Sequence, residues 1–398
     1  MARLVTSGFE VYVADANATT GQYPDGFTAA ASLSRSTATK RSGAASLRLN
    51  ASGQTTLQQN VFPFTGVLDR GYWLRFYILV SSPLSFPQDL ARLSSSSVTM
   101  NTSSQIYSSN NSGVTSQAIN DGNWHRVEYY VKPSATQASR AWELRVDGAT
   151  VSSGAAQSAD FAAPTNIQLG TLDTGFTYSC DLYFDDVAVN DDQGSSQNSW
   201  PGDGYVVLLT PSADNTRGSW TGGAGGTTSL FDALNNTPPV GAAAPGTNTS
   251  QISANAVATT GKFDTTSYTT AGATSGDTAV LCHVVACHGE QVATGTKSGS
   301  ASTDTAVNNT PSSATATFNY GNDIGAEAAW PSVWYFAMGP AAAYASQPTL
   351  SSGARLNIVT TTLSRVADCC FLGLYVEMQG AAVAAVRVPD VGMALTVT

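Results

Sequence analysis

The stretch Asp121-Gly122-Asn123-Trp124-His125-Arg126-Val127-Glu128-Tyr129-Tyr130-Val131 decides the fold class. From His125 onward its residues alternate. His125, Val127, Tyr129 and Val131 share one face, while Arg126 and Glu128 take the other. A period of two with one apolar face is the mark of a half-buried β-strand, because successive side chains of a strand point to opposite sides. The same period recurs on either side. In GYWLRFYIL (71–79), Tyr72, Leu74, Phe76 and Ile78 point one way. In AWELRVDGATV (141–151), Trp142, Leu144 and Val146 face inward and Glu143 and Arg145 outward, before a turn at Asp147-Gly148. That dipeptide suits a type I′ hairpin, since both residues tolerate positive φ. NIQLGT (166–171) and DLYFDDVAV (181–189) continue a series of short strands parted by Ser/Gly/Asn loops. Such a series predicts a β-sandwich.

Helical periodicity is nearly absent from the rest of the chain. Gly, Ser, Pro and Asp cluster in DDQGSSQNSWPGDG (191–204), which places a boundary there. The expected organisation is a sandwich over residues 1–192, a linker over 193–204 and a second β-rich sandwich over 205–398. At 398 residues the chain is long for one core, and two domains of roughly 200 residues are the default. Strand candidates in the second half are YVVLLT (205–210), AVLCHVVAC (279–287), ATATFNY (314–320), SVWYFAM (332–338), RLNIVTTTL (355–363), FLGLYVEM (371–378) and AAVRVP (384–389). SLFDALNN (229–236) reads as a short helix capped by Ser229, with Asp232 three residues on and Pro238 beyond its end. The Ala/Thr/Gly/Ser tract at 240–275 reads as loop with at most marginal strands.

Composition narrows the function classes. Charged residues are 12% of the chain, but 42% hydrophobic and 9% aromatic residues supply ample material for a core. The net charge is −10, from 18 basic and 28 acidic residues. Without a basic patch to displace counterions, binding to nucleic acid or to an anionic membrane is not expected. A surface short of long charged side chains resembles one built for protein–protein contact. The N-terminus, Met1 to Gly8, carries no apolar stretch that would act as a signal peptide, and no apolar run is long enough for a transmembrane helix. The five cysteines (Cys180, Cys282, Cys287, Cys369, Cys370) follow no disulfide framework and are expected to stay reduced.

The N-terminal half resembles the concanavalin A-like, laminin-G-like jelly rolls. The resemblance rests on GFE (8–10), SGAASLRL (42–49), the Asp-Gly turn and Trp-His strand of 121–131, WELRVDGA (142–149) and LYFDDVAV (182–189), in the family's order. The join DDVAVNDDQG…WPGDGYVVLLTPSAD resembles that of bacteriophage minor structural proteins, in which a laminin-G-like head precedes a second β domain. Two features depart from that pattern: the Ala/Thr-rich middle of the second half, and CHVVACH (282–288). The resemblance implies a virion component of the tail or capsid surface, made in the host cytoplasm, oligomeric, and partnered by other virion proteins.

Chemistry-bearing residues are few. His125 lies on the apolar face with no sequence-apparent partner and reads as a core or rim histidine. Asp185 and Asp186 are adjacent in a strand, so they point to opposite faces unless a bulge re-aims one. Loop amides, or a calcium ion held with Asp191 and Asp192, would satisfy a buried member of the pair. Cys282, His283, Cys287 and His288 suit zinc by type, but alternation in a strand separates them. Tyr72, Trp73, Trp200, Trp220, Trp330, Trp334 and Tyr335 are the aromatic candidates for glycan contact, Trp73, Trp200 and Trp220 foremost, because the C–H face of a sugar stacks on an aromatic ring; a host surface glycan is therefore an alternative partner. No nucleophile elbow, phosphate loop or dinucleotide fingerprint is present, and no enzyme is expected.

Overall fold

The computed structural model describes residues 3–10, 21–22, 28–29, 33–54, 58–93, 95–110, 117–155, 162–173, 177–193, 197–222, 229–234, 252–254, 260–274, 276–292, 299–307, 310–320, 324–325, 334–338, 353–363 and 366–380. The chain is all-β. Strands between Arg3 and Asp191 make two sheets, and strands between Tyr205 and Gln379 make two more.

The first sheet runs in the order Ala149–Gly154, Ala141–Val146, His125–Lys132, Tyr72–Ser82, Tyr178–Asp191, Ser46–Gln54, Leu33–Ser36. The alternation read from the sequence sets its register. Val127 stands opposite Phe76 and Val146, and Tyr129 opposite Leu74 and Leu144, so the apolar faces of three strands coincide. That face packs on the second sheet, whose strands include Gln88–Leu93, Asn166–Thr171 and Gln58–Pro63, and one continuous core joins the two. The turn at Asp147-Gly148 forms as expected, with both residues at positive φ.

The long strand Tyr178–Asp191 carries a division that positions the site. Along one edge its first half pairs with Ser46–Gln54, through Phe184, and its second half pairs with Arg3–Ser7, from Val187 onward. Asp185 and Asp186 fall in the gap between these two partners. On the other edge, toward Tyr72–Ser82, the register slips between Asp185 and Ala188, and Asp186 has a φ of 48°. This is a β-bulge.

In the second half, Val366–Gln379 is the spine of the third sheet, flanked by Tyr205–Leu209, Ile252–Ala254 and Thr278–Val292. The fourth sheet is Pro211–Thr216, Thr260–Ser267, Gly353–Leu363, Gly299–Val307 and Thr310–Tyr320. A core containing Leu209, Trp220, Phe263, Leu356, Leu372 and Leu374 lies between them. Two readings need correction here. Thr260–Ser267, inside the tract read as loop, is an eight-residue paired strand whose Gly261, Phe263 and Thr265 are buried in alternation. The helix is a single turn, Phe231–Leu234, and its first amides are received by Asp214, which accepts from Leu230 N at 2.9 Å and Phe231 N at 2.8 Å, rather than by Ser229. The segment 384–389 lies outside the described residues.

Candidate functional site

The outer face of the first sheet carries the chemistry. Its strands present a row Arg75–Glu128–Arg145 and, one step along, a row Trp73–Tyr130–Glu143. On an open sheet these side chains would lie in water. Here the first row is covered. Arg75 is 0% exposed, because residues 201–204 and the C-terminal half sit over it. Its Nη1 donates to Glu377 Oε1 at 2.8 Å and to Gly202 O at 3.3 Å, and its Nε donates to Asp186 O at 3.1 Å. Arg3 completes the cluster from the N-terminal strand. It donates to both oxygens of Glu377, to Asn190 Oδ1 at 2.6 Å and to Gln197 Oε1 at 2.8 Å. Burial alone would raise the Glu377 pKa, but the two guanidiniums outweigh it and hold the carboxyl below its usual range.

Beside this triad lies an acidic group. The bulge aims both Asp185 and Asp186 at the turn Arg41-Ser42, the re-aiming that the sequence left open for this adjacent pair. Asp185 Oδ2 accepts from Arg41 N at 2.9 Å, and Asp186 accepts from Arg41 Nη1 at 2.7 Å and Ser42 Oγ at 2.8 Å. Asp186 Oδ1 also receives Val206 N at 2.7 Å, a contact into the C-terminal half. Glu10 is the third carboxyl. Its Oε2 accepts from Ala44 N, and its own backbone N donates to Tyr375 Oη at 3.1 Å, but its buried Oε1 has no hydrogen-bond partner. A carboxylate oxygen without a donor is costly to bury, and the proton is the cheapest remedy. Burial, opposed by the Ala44 amide and reinforced by Asp186, pushes the Glu10 pKa well above the carboxylate range. Burial, together with the charges of Asp186 and Glu10, does the same at Asp185.

The four aspartates considered for calcium do not converge. Asp185 stands opposite Tyr77 and Asp191 opposite Tyr72, about five strand positions or ~16 Å apart. Asp191 accepts from Gln193 N at 3.0 Å and Asp192 from Gly71 N at 2.9 Å, so backbone amides serve them as they serve Asp185. Among the described residues no group of three or more His, Cys, Asp or Glu side chains has the geometry to hold a metal ion. Cys282, His283, Cys287 and His288 lie in the strand Thr278–Val292, with a register slip between Cys287 and His288; their side chains lie outside the described residues.

Of the foremost aromatic candidates, the structure brings two together and removes one. Trp73 stacks on Tyr130 with centroids 5.0 Å apart, and Tyr130 meets Trp200 at 6.2 Å. The Arg145 guanidinium lies 3.8 Å from the Trp200 ring centre. All three rings are half-buried. Trp220, in contrast, is 3% exposed in the core of the C-terminal half and offers no ring to a ligand. Trp330 lies outside the described residues, as do the side chains of Trp334 and Tyr335.

His125 has partners that local sequence does not announce. Its Nε2 lies 2.9 Å from Asp121 Oδ1 and its Nδ1 lies 2.8 Å from Asp147 Oδ2. The His125 side chain thus ties the loop before its strand to the hairpin turn. Neither the Arg3–Arg75–Glu377 triad nor the part played by Glu10 was foreseen. The sequence signal was a lone charge inside an otherwise apolar strand: Arg75 in YWLRFYIL and Glu377 in LYVEM.

No family model matches the chain, and no curated protein matches it. Solved structures share parts of its architecture. A Trypanosoma rangeli sialidase bound to the inhibitor DANA is 10% identical over 41% of this chain and 27% of its own, with a TM-score of 0.30. Domain 4 of AbnA, a GH43 extracellular arabinanase from Geobacillus stearothermophilus, in complex with arabinotriose, is 14% identical over 43% of this chain and 80% of its own, with a TM-score of 0.29. The binding domain of botulinum neurotoxin serotype D is 11% identical over 48% of each chain, with a TM-score of 0.31. The chain thus spans about a quarter of the sialidase it matches. At these TM-scores the likenesses carry no argument about what this chain does.

Proposed function

We propose that this chain is a non-enzymatic structural protein of a bacteriophage particle, carried on the tail or the capsid surface, that acts as a homo-oligomer through assembly and surface contact with other virion proteins. The observation that carries the reading is the buried junction between the two halves. A flexible linker would let two β units swing independently. Here Arg3 and Arg75 grip Glu377, and Asp186 grips the Val206 amide, so the halves are tied by charge-assisted bonds out of water. A part that works by shape needs its parts held in one geometry. The sequence adds two supports: a surface with only 12% charged residues, suited to contact with other proteins, and the motifs resembling phage minor structural proteins.

Immunogold labelling of intact, density-banded particles with antibody against this chain tests the proposal. Gold on the tail or spread over the capsid is the expected result. Absence of labelling, with absence of the chain from the proteins of purified particles, overturns it.

A further inference from the structure

We propose that the buried carboxyls of Glu10, Asp185 and Asp186 share a proton that works as a clasp, holding the two halves docked while it is bound and releasing them, each with its core intact, when it is lost to solvent. The inference goes beyond assembly in a particle and does not depend on where the chain resides. All three carboxyls converge on one turn. Asp185 Oδ2 receives Arg41 N at 2.9 Å and Ser42 N at 3.4 Å. Asp186 receives Ser42 Oγ and Arg41 Nη1, and Glu10 Oε2 receives Ala44 N. The turn is shaped for the third carboxyl: Gly43 stands at a φ of 56°, and a Cβ there would fall on Glu10 Oε1. That oxygen is buried without a donor, in a residue only 4% exposed. Asp186 bonds the Arg41 guanidinium, whereas the donors to Asp185 and Glu10 are neutral amides. Three buried carboxyls so placed do not all ionise, because the loss of water and the like charges both favour the protonated acid.

The same residues carry joints between the halves. Asp186 Oδ1 receives Val206 N at 2.7 Å, Ser42 Oγ lies 3.5 Å from Val206 O, and Glu10 N donates to Tyr375 Oη at 3.1 Å. Gly8 packs on Val206, where a Cβ would stand 2.9 Å from Val206 Cβ. Among the described residues the two apolar cores have no member in common, and neither includes Val206 or Tyr375. Charge placed in this polar layer therefore acts on docking before it acts on either core. The groups facing Glu10 are Arg35 and Lys40, the Asp185–Asp186 pair of the bulge, and the Tyr375 hydroxyl of the C-terminal half; Arg41 and Arg75 act on Asp186. Burial, with the neighbouring carboxyls, pushes Glu10 and Asp185 well above the carboxylate range. The docked form holds a proton that the open form, with its carboxyls in water, gives up above about pH 4. Docking is thus complete in acid and weakens as pH rises through the docked form's value.

The test is small-angle X-ray scattering of the intact chain from about pH 5 to about pH 10, with far- and near-ultraviolet circular dichroism of the same samples to follow the cores. The expected result is a radius of gyration that rises by more than about 10% toward the alkaline end, with both dichroism signals retained, and that falls again on return to acid. Glu10→Gln and Asp185→Asn each place a neutral amide where an acid stood, and at least one of them moves the expansion to higher pH or abolishes it. His125 also titrates in this range, but it ties a loop to a hairpin turn within the first half and is left in place by both variants. The proposal is overturned if the radius stays constant up to the pH at which the cores melt, or if expansion and loss of the dichroism signals coincide. It is equally overturned if neither variant moves the expansion, or if both are already expanded in acid.

Discussion

Glu377 and Arg75 lie 302 residues apart in the chain, yet Glu377 Oε1 accepts from Arg75 Nη1 at 2.8 Å with both side chains 0% exposed. The cluster holds two guanidiniums, Arg3 and Arg75, to one carboxylate. Removing the carboxylate therefore leaves two buried guanidiniums without the partner they share, with only the carboxylate of Asp186 acting on Arg75. Glu377→Gln keeps the shape and is expected to cost about 3–5 kcal/mol in urea unfolding. Arg75→Met leaves the balanced Arg3–Glu377 pair and should cost less. An equal loss from the two variants would show that charge balance is not what the junction depends on.

Gly204 packs against the Arg75–Glu377 pair that joins the halves. A Cβ built there would stand 2.6 Å from Arg75 Nη1 and 3.1 Å from Glu377 Oε1. Gly204→Ala should push the guanidinium off its carboxylate and destabilise the protein by about 1–3 kcal/mol. Gly154→Ala is the control. A Cβ there makes ordinary contact with Trp142 at 3.4 Å on an edge strand, and its effect should stay within about 0.5 kcal/mol. Thermal melts of the two variants decide between a crowded junction and a general intolerance of added methyl groups.

The strands were legible because each buries one face. Val127, Tyr129 and Val131 alternate in the sequence, and they pair with Phe76, Leu74 and Tyr72 in the sheet. The bulge was not legible. Nothing local distinguishes Asp185-Asp186 from two residues of a regular strand; the slip arises where two other strands, from residues 3–7 and 46–54, divide one edge between them. The junction was hidden for the same reason, since Arg3, Arg75 and Glu377 meet only after both sandwiches form. Asp214 was likewise unavailable to local reading as the helix cap, because it reaches the helix from a separate strand. The Thr260–Ser267 strand was missed because its Thr-rich face mimics loop composition.

His125 offers a test that can be read at one residue. Burial lowers its pKa, but the hydrogen bonds to Asp147 and Asp121 outweigh burial and raise it above the usual histidine value. A raised folded pKa means that the stabilisation is complete below about pH 6.5 and is lost as pH rises through the folded value. Asp121 works in the opposite sense. Its bonds to Asn123 and His125 lower it to about 2, so its contribution is present above about pH 4 and is lost as pH falls toward that value. An NMR titration of the imidazole should give a midpoint above about 6.5. Asp147→Asn tolerates the same positive φ while removing the charge, and should lower that midpoint. An unchanged midpoint would mean that Asp147 does not act on the ring.

Glu10 should give the junction an alkaline limit. Its Oε1 is buried without a donor, and Asp185, Asp186, Arg35 and Lys40 are the charged groups that act on it. With its pKa raised well above the carboxylate range, the folded state binds a proton that the unfolded state has released above about pH 4. Stability from this group is therefore full in acid and falls as pH rises toward the folded value. His125 contributes a slope of the same sign, so the wild-type curve alone does not isolate Glu10. The difference between wild type and Glu10→Gln does. Gln presents a neutral amide at every pH and cannot be ionised, and its variant should melt with a shallower decline between pH 5 and 9, drawing closer to the wild type, or passing it, at the alkaline end. Parallel curves would place the ionised form of Glu10 in the native junction and shift the extra proton to the Asp185–Asp186 pair.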